Sequence, residues 1–339
     1  MMNTSSAANL KNHPLFIDFS QEEYSFIREH SQTKHFRAGE TIMSQGSYGD
    51  ELYLLQKGRV LVYVTLPGDT QKLATKLDSG QIFGEVTFLT QTPITASIVA
   101  ENDCTCLSFS REILNTLHFS HPVTAYKFET NIIRQTREKI INQILLLISL
   151  LGKIAGQADI SSQHALRLFN HKAQCKKLPN ANLDFNYLKQ IHFFSALQEK
   201  DFLFLLSFMS FRQYDRGYPF QFLNSVHSRL CIPYSGAVMM FIKQDEVLNK
   251  SIAVSGIGEI FLENPTSLFP EFQQYVAYLT SERSTILELD FDAYYKIRDL
   301  NPGLFFHISR EINHHIARLV YIVNRQFVRI NCEYENLIG

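Results

Sequence analysis

The sequence predicts an α+β chain, mainly β with helices, made of two jelly-roll-like β-barrels that are each followed by a long helix. Strand-rich and helical stretches succeed one another twice, strands from about residue 34 to 109 and again up to 289, helices after each. One offset relates the halves: aligning Gly39 with Gly217 shifts the chain by 178 positions and brings Leu52 onto Leu230, Gly58 onto Gly236 and Gly80 onto Gly258. Between the glycines lie runs of strand length rich in β-branched and aromatic residues, Glu51 to Gln56 and Arg59 to Val64. Turns between short strands need positive φ or close backbone approach, which glycine meets at little steric cost. Short strands joined by regular turns point to a barrel or jelly roll.

The offset continues through Ile82 on Ile260, Phe83 on Phe261 and Glu85 on Glu263, and backwards through Phe16 on Phe194. From Ala277 it becomes 180, so the second half carries a two-residue insertion just before that point. The expected organisation is a flexible N-terminus over 1–13 and a first barrel domain over 14–124. A long helix and linker over 125–185, a second barrel domain over 186–300 and a C-terminal helix over 301–339 follow.

With 339 residues, 45% apolar, the chain has material for two cores of ordinary size. Its 32 Lys+Arg against 33 Asp+Glu give no global attraction to nucleic acid or an anionic membrane. Residues Met1 to Asn12 are polar and lack a signal-peptide apolar core, and the run Ile144 to Leu151 is too short to span a bilayer. The expectation is a cytoplasmic protein. Five cysteines without an export signal argue against a disulfide framework. Cys104 and Cys106 fall on one face of a strand and read as packing residues.

Certain motifs carry a resemblance. Phe36-Arg-Ala-Gly39-Glu-Thr-Ile, then Gly46, Asp50, Leu52-Tyr-Leu-Leu-Gln-Lys-Gly58-Arg-Val and Gly80-Gln-Ile-Phe-Gly84-Glu85 resemble a cyclic-nucleotide-binding domain, the family that includes the catabolite activator protein and the regulatory subunits of cAMP-dependent protein kinase. The likeness is strong over Pro14 to Leu117 and weaker over His192 to Asp299. In that family a phosphate-binding cassette follows the Phe-Gly-Glu string. Backbone N–H groups of a short helix and an arginine hold the cyclic phosphate, and the glutamate takes the ribose 2′-hydroxyl. A helix N-terminus and a planar guanidinium both suit an anion.

Set on that pattern, the first pocket comprises Phe83, Gly84, Glu85, Val86, Ile94, Thr95, Ala96 and Ser97. The arginine position is Ile94. Gly84, Glu85, Ala96 and Ser97 agree with the family, so the resemblance implies that shape and the ribose-facing acid are kept while the cationic phosphate contact is lost. The second cassette is more degenerate: Phe261-Leu262-Glu263-Asn264-Pro265 puts Leu262 in the glycine's place. Arg283 matches Asp103 in the turn after the pocket strand, and reads as a solvated turn arginine.

In the family a helical tail closes each barrel and often dimerises. From Ala125 to Ala155, Ile140, Ile144, Leu145, Ile148 and Leu151 continue a helical apolar stripe. Beyond Ile144 the helix is apolar nearly all round, which calls for burial on more than one side, by domain packing or a homodimer seam. Ile312, Ile316, Leu319 and Val323 form the stripe of the C-terminal helix, again read as an interface. His307, His314 and His315 lack partners at ligand spacing, so no metal is expected. The linker residues Arg167, His171, Lys172, Lys176 and Lys177 read as a solvated basic face. No helix-turn-helix follows the dimer-type helix, and no enzyme signature is present, so neither DNA binding nor catalysis is expected.

These readings converge on a non-enzymatic regulatory or scaffold protein that changes how its helices pack against a partner. Three versions remain open: a ligand-free interaction module, a sensor of a cyclic mononucleotide, and a sensor of another ligand such as the cyclic dinucleotide c-di-GMP. No other cofactor is implied.

Overall fold

The structure is a computed structural model that describes residues 10–66, 68, 70–155, 170, 172–180, 183–220, 228–244, 247–263 and 272–338. Arg167, His171, Asn264 and Pro265 lie outside the described residues. A 3-10 turn, Pro14–Phe16, and α1, Gln21–Glu29, precede the first barrel. Ser20 and Glu23 start α1 with a reciprocal capping box, which satisfies two backbone N–H groups at once. Eight strands follow: β1 Gln32–Phe36, β2 Thr41–Met43, β3 Glu51–Lys57, β4 Arg59–Thr65, β5 Gln71–Asp78, β6 Ile82–Phe83, β7 Ser97–Ala100 and β8 Cys104–Ser110. The short α2, Glu85–Thr90, lies between β6 and β7. The sheets are antiparallel, ordered β1-β8-β3-β6 and β2-β7-β4-β5. Helices α3, Arg111–Ser120, and α4, Pro122–Ala155, come next.

After the linker strand β9, Cys175–Lys177, come α5 Phe185–Leu188, α6 His192–Ser195 and α7 Glu199–Phe208. The second barrel has β10 Ser210–Tyr214, β11 Pro219–Phe220, β12 Arg229–Ser235, β13 Val238–Gln244, β14 Val247–Ser255, β15 Phe261–Glu263, α8 Phe272–Tyr275, β16 Val276–Thr280 and β17 Ser284–Asp290. Helices α9, Phe291–Leu300, and α10, Pro302–Ile338, complete it. Its sheets run β15-β12-β17-β10-β9 and β11-β16-β13-β14. Leaving out β9, both orders reproduce the first barrel strand for strand.

The repeat extends to register. Tyr63 pairs with Ser97 and Phe241 with Ala277, so the offset is 178 before the cassette and 180 after it. Both copies have bulges at equivalent places, Leu55/Lys57 with Pro233/Ser235 and Val62/Tyr63 with Met240/Phe241. A bulge sets local twist and re-aims a strand, so its retention means that both sheets bend alike. The turn glycines Gly58 and Gly236 have φ +95° and +78°, and a Cβ on them would lie 2.7 Å from Asp103, in the β7–β8 connection, and 2.4 Å from Ser284, at the start of β17. Any other residue there forces the turn apart.

The chain divides into two compact units, one of residues 1–140 with 316–337, the other of 141–315. Each long helix therefore changes unit along its length. In the first unit, α4 carries Phe128 into a cluster of edge-on rings with Phe19, Phe88 and Phe109. Asn131 donates from Nδ2 to the carbonyls of Leu15 and Ile17, and Lys127 pairs with Glu23 at 2.8 Å. In the second unit, Asn301 donates to Asp201 and the Tyr294 hydroxyl meets Ser309 at 2.7 Å.

Several expectations are modified. His13, in the segment read as a flexible terminus, bonds the Gly80 carbonyl at 2.8 Å and caps the 3-10 turn, because its ring meets both groups at once. Part of the linker is a strand, β9, which pairs with β10 and covers that sheet edge, while its Lys176 and Lys177 are exposed as a solvated face requires. Of the helix residues read as an interface, Ile140, Ile144, Ile148, Leu151, Ile312, Ile316, Leu319 and Val323 are buried within the single chain. Leu145 is 41% exposed with Leu146 beside it, so the single chain leaves this side of α4 uncovered. His307 is bonded to the Phe193 carbonyl at 2.9 Å. Cys104 and Cys106 are buried and free, and burial pushes the Cys106 thiol up to about 12. Among the described residues no helix is long and apolar enough to cross a membrane, and no His/Cys/Asp/Glu cluster suits a metal.

Candidate ligand site of the first barrel

The cassette begins where β6 ends in Gly84, whose φ of +82° turns the chain away from the sheet. A Cβ here would lie 2.6 Å from the Glu51 carbonyl, so only glycine fits. The turn releases Glu85 from the strand and makes it the first residue of α2. The helix ends at Gln91, also left-handed at φ 58°. Thr87 then ties the segment down, its hydroxyl facing the carbonyls of Gly49 and Thr92, while Arg111 donates to its carbonyl at 2.5 Å.

Each polar side chain of the predicted pocket is met by the chain itself. Glu85 is 6% exposed and accepts from Lys139 Nζ of α4 at 2.8 Å; the same ammonium donates to the Ile82 carbonyl at 2.7 Å. Thr95 Oγ1 accepts from Asn324 Nδ2 of α10 at 3.3 Å, a contact inside the first unit. Ser97 Oγ accepts from the Gln45 N–H at 3.0 Å. Ile94 is 8% exposed and belongs to the barrel core with Met43, Tyr53, Phe83 and Ile98, its Cδ1 3.3 Å from where a Gly49 Cβ would stand. Val86 and Phe88 are buried, and Ala96 is partly exposed. Phe83 and Ile94 thus meet in the core, whereas Glu85 and Thr95 each face a helix.

Inside the sheet, Glu51 accepts from Lys34 at 2.5 Å, from Ser108 at 2.6 Å and from the Tyr53 hydroxyl. Burial alone raises the Glu51 carboxyl, but these bonds and the lysine charge carry it below its usual 4.5. Glu23 is lowered in the same way against burial by Lys127, Ser20 and Thr124, and burial lowers His13 and His307 below 6.5. In every case the unfolded chain binds more protons than the folded one, so stability rises with pH. We expect the melting temperature, followed by circular dichroism, to fall first below pH 6.5 as the unfolded-state histidines charge and again below 4.5. A flat profile down to pH 4 contradicts it, and Glu51→Gln should diminish the lower step.

The second barrel differs for a local reason. Leu262 stands where Gly84 does, and a leucine does not adopt positive φ, so β15 runs on through Glu263. Glu263 consequently sits directly opposite Arg229 in the β12–β15 register. Arg229 forms an ion pair with Glu263, Nε to Oε2 at 2.9 Å, and donates from Nη1 to Glu288 at 2.5 Å; both carboxylates are buried. Arg283 is 72% exposed, 4.0 Å from Asp215, as a turn arginine should be.

Sequence patterns do not single out Lys139, Asn324, Arg229 or Glu288. The repeat carries a signal for two of them: the offset sets Arg229 on Glu51 and Glu288 on Ser108, a charge exchanged between neighbouring strands.

The first barrel is thus an eight-stranded antiparallel double sheet with a short helix between β6 and β7 and a long helix, α4, packed on that short helix. Residues 33–121 match the cyclic nucleotide-binding domain family, and the first barrel is a domain of that family. The chain is 30% identical over 137 residues to the cyclic AMP receptor protein of Thermus thermophilus, covering 40% of this chain and 63% of that one. It is 32% identical over 103 residues to a cGMP-dependent protein kinase of Plasmodium berghei, 30% of this chain and 11% of the kinase. With the cAMP-dependent protein kinase regulatory subunit of Blastocladiella emersonii it shares 26% over 143 residues, 42% of this chain and 34% of the subunit. The chain spans less than two thirds of each of these relatives.

Proposed function

We propose that this is a non-enzymatic cytoplasmic regulatory protein whose first barrel keeps the cyclic-nucleotide-binding architecture but holds its cassette closed with its own side chains, acting on a protein partner through its helices. The observation that carries this reading is the Lys139–Glu85 pair: the carboxylate that the family gives to the ribose is engaged by α4, while Ile94 fills the arginine's place with hydrocarbon. A hydrogen bond to a charged group contributes about 1.5–3 kcal/mol, so a site without it binds a cyclic phosphate roughly 10- to 150-fold more weakly. The intact chain is expected to show no rise in melting temperature with millimolar cAMP or cGMP. Ile94→Arg should confer a measurable rise, because it returns a cation to a cassette whose backbone is in place. A clear shift of the wild type by either nucleotide overturns the proposal.

A second reading is a sensor that binds a cyclic nucleotide, or a cyclic dinucleotide such as c-di-GMP, in the first barrel. The family match over 33–121 and the retained Gly84 turn favour it. The ligand would have to displace Lys139 from Glu85, and so would shift α4 in proportion to its differential affinity. The same thermal titration extended to c-di-GMP decides between the readings.

A further inference from the structure

The two barrels contain the same polar network with its parts exchanged. In the first, Lys34 on β1, Glu51 on β3 and Ser108 on β8 meet, and Tyr53 supplies a hydroxyl to the carboxylate. In the second, Arg212 takes the Lys34 position, Arg229 the Glu51 position and Glu288 the Ser108 position. The hydroxyl has moved with the carboxylate: Tyr214 stands at Phe36 and bonds Glu288, while Tyr53 has become Cys231. The exchange introduces one cation, Arg229, into the sheet beside the cassette, and there it meets Glu263, which Leu262 has kept in the strand. In the first barrel the matching Glu85 takes its cation from a helix; in the second, Glu263 takes its cation from the sheet itself.

We propose that Arg229 is a tethered counter-ion standing in for a ligand in the second barrel, clamping β15 to β12 so that this barrel is a fixed, ligand-independent element. Arg229 and Glu263 are 8% and 3% exposed, so neither charge has an alternative partner in water. The planar guanidinium spans two carboxylates, Glu263 and Glu288, as an ammonium does not. Desolvation works against the arginine's charge, and the two carboxylates more than reverse it, holding the group more strongly protonated than usual. A ligand bringing its own hydroxyls or cation to Glu263 has first to expel Arg229. Among the described residues the three members of the clamp, Arg229, Glu263 and Glu288, all lie on strands, so the cation is carried by the sheet. The clamp stands whether or not the first barrel binds a nucleotide.

Amide hydrogen exchange of the full chain tests it. Arg229→Lys keeps a charge but loses the fork, and should leave the protein folded while the β15 amides of Phe261–Glu263 exchange about tenfold faster, protection of β10 and β17 being kept. Arg229→Met should either free β15 further or lower the second barrel's melting temperature, since two buried carboxylates lose their cation. Wild-type β15 should exchange at the same rate with and without millimolar cAMP or cGMP. Unchanged β15 exchange in the lysine variant overturns the clamp, as does slower β15 exchange in the wild type on adding either nucleotide.

Discussion

Phe128→Ala should destabilise the first unit by about 3–5 kcal/mol, the range for truncating a fully buried aromatic side chain. Phe128 is 0% exposed and its ring lies 5.4 Å from Phe109 and 6.5 Å from both Phe19 and Phe88. Those three rings belong to the N-terminal segment, the cassette and β8, so one truncation opens a cavity that no single neighbour can fill. Urea unfolding monitored by circular dichroism reads the loss as a lower midpoint. Phe128→Leu, which keeps most of the volume, should lose far less, and a loss below about 1 kcal/mol for the alanine would mean that the site collapses around the gap or that α4 is not seated on the barrel.

Lys139→Met should cost about 2–4 kcal/mol, because removing one partner leaves a buried carboxylate uncompensated. Glu85 is 6% exposed and its charge is balanced by the ammonium 2.8 Å away. Adding Glu85→Gln to Lys139→Met should recover most of the loss, and a double variant no more stable than the single one would show that the lysine acts only through the Ile82 carbonyl. The pair also separates stability from function: in the single variant Glu85 is exposed to competition by added nucleotide, which the thermal titration can register.

The tandem barrels are legible in the sequence because their signals are local. Glycines with positive φ, β-branched runs and an unbroken offset each follow from backbone sterics, and the sheet registers repeat the offset before and after the insertion. The cassette is legible in outline for the same reason, through Gly84 and Ile94. Its partners are not. Lys139 lies next to Ile140 on a helix whose Arg134 and Glu138 face water, and nothing in a 3.6-residue period says which charged residue turns inward. Asn324 reaches Thr95 across 229 positions, a distance at which no spacing rule operates. Leu145 is left exposed by the single chain, and no helical period distinguishes it from its buried neighbours Ile144 and Ile148. Arg229 and Glu288 are readable in principle, as a coupled exchange between the repeats, once strand pairing makes them neighbours.

The division of α10 between the two units bears on how the chain is made. Residues 316–337 belong with 1–140, so Asn324 and Asn331 reach their partners Thr95 and Lys72 only after everything between has been synthesised. At roughly 5–20 residues per second, the first barrel emerges and then waits on the order of ten to forty seconds for its last segment. During that interval the surface destined for α10 is uncovered, a hazard of long sequence separation that also slows folding. The first barrel is thus complete in sequence well before it is complete in space, and the nascent chain has to pass through an intermediate open to chaperones and to premature self-association.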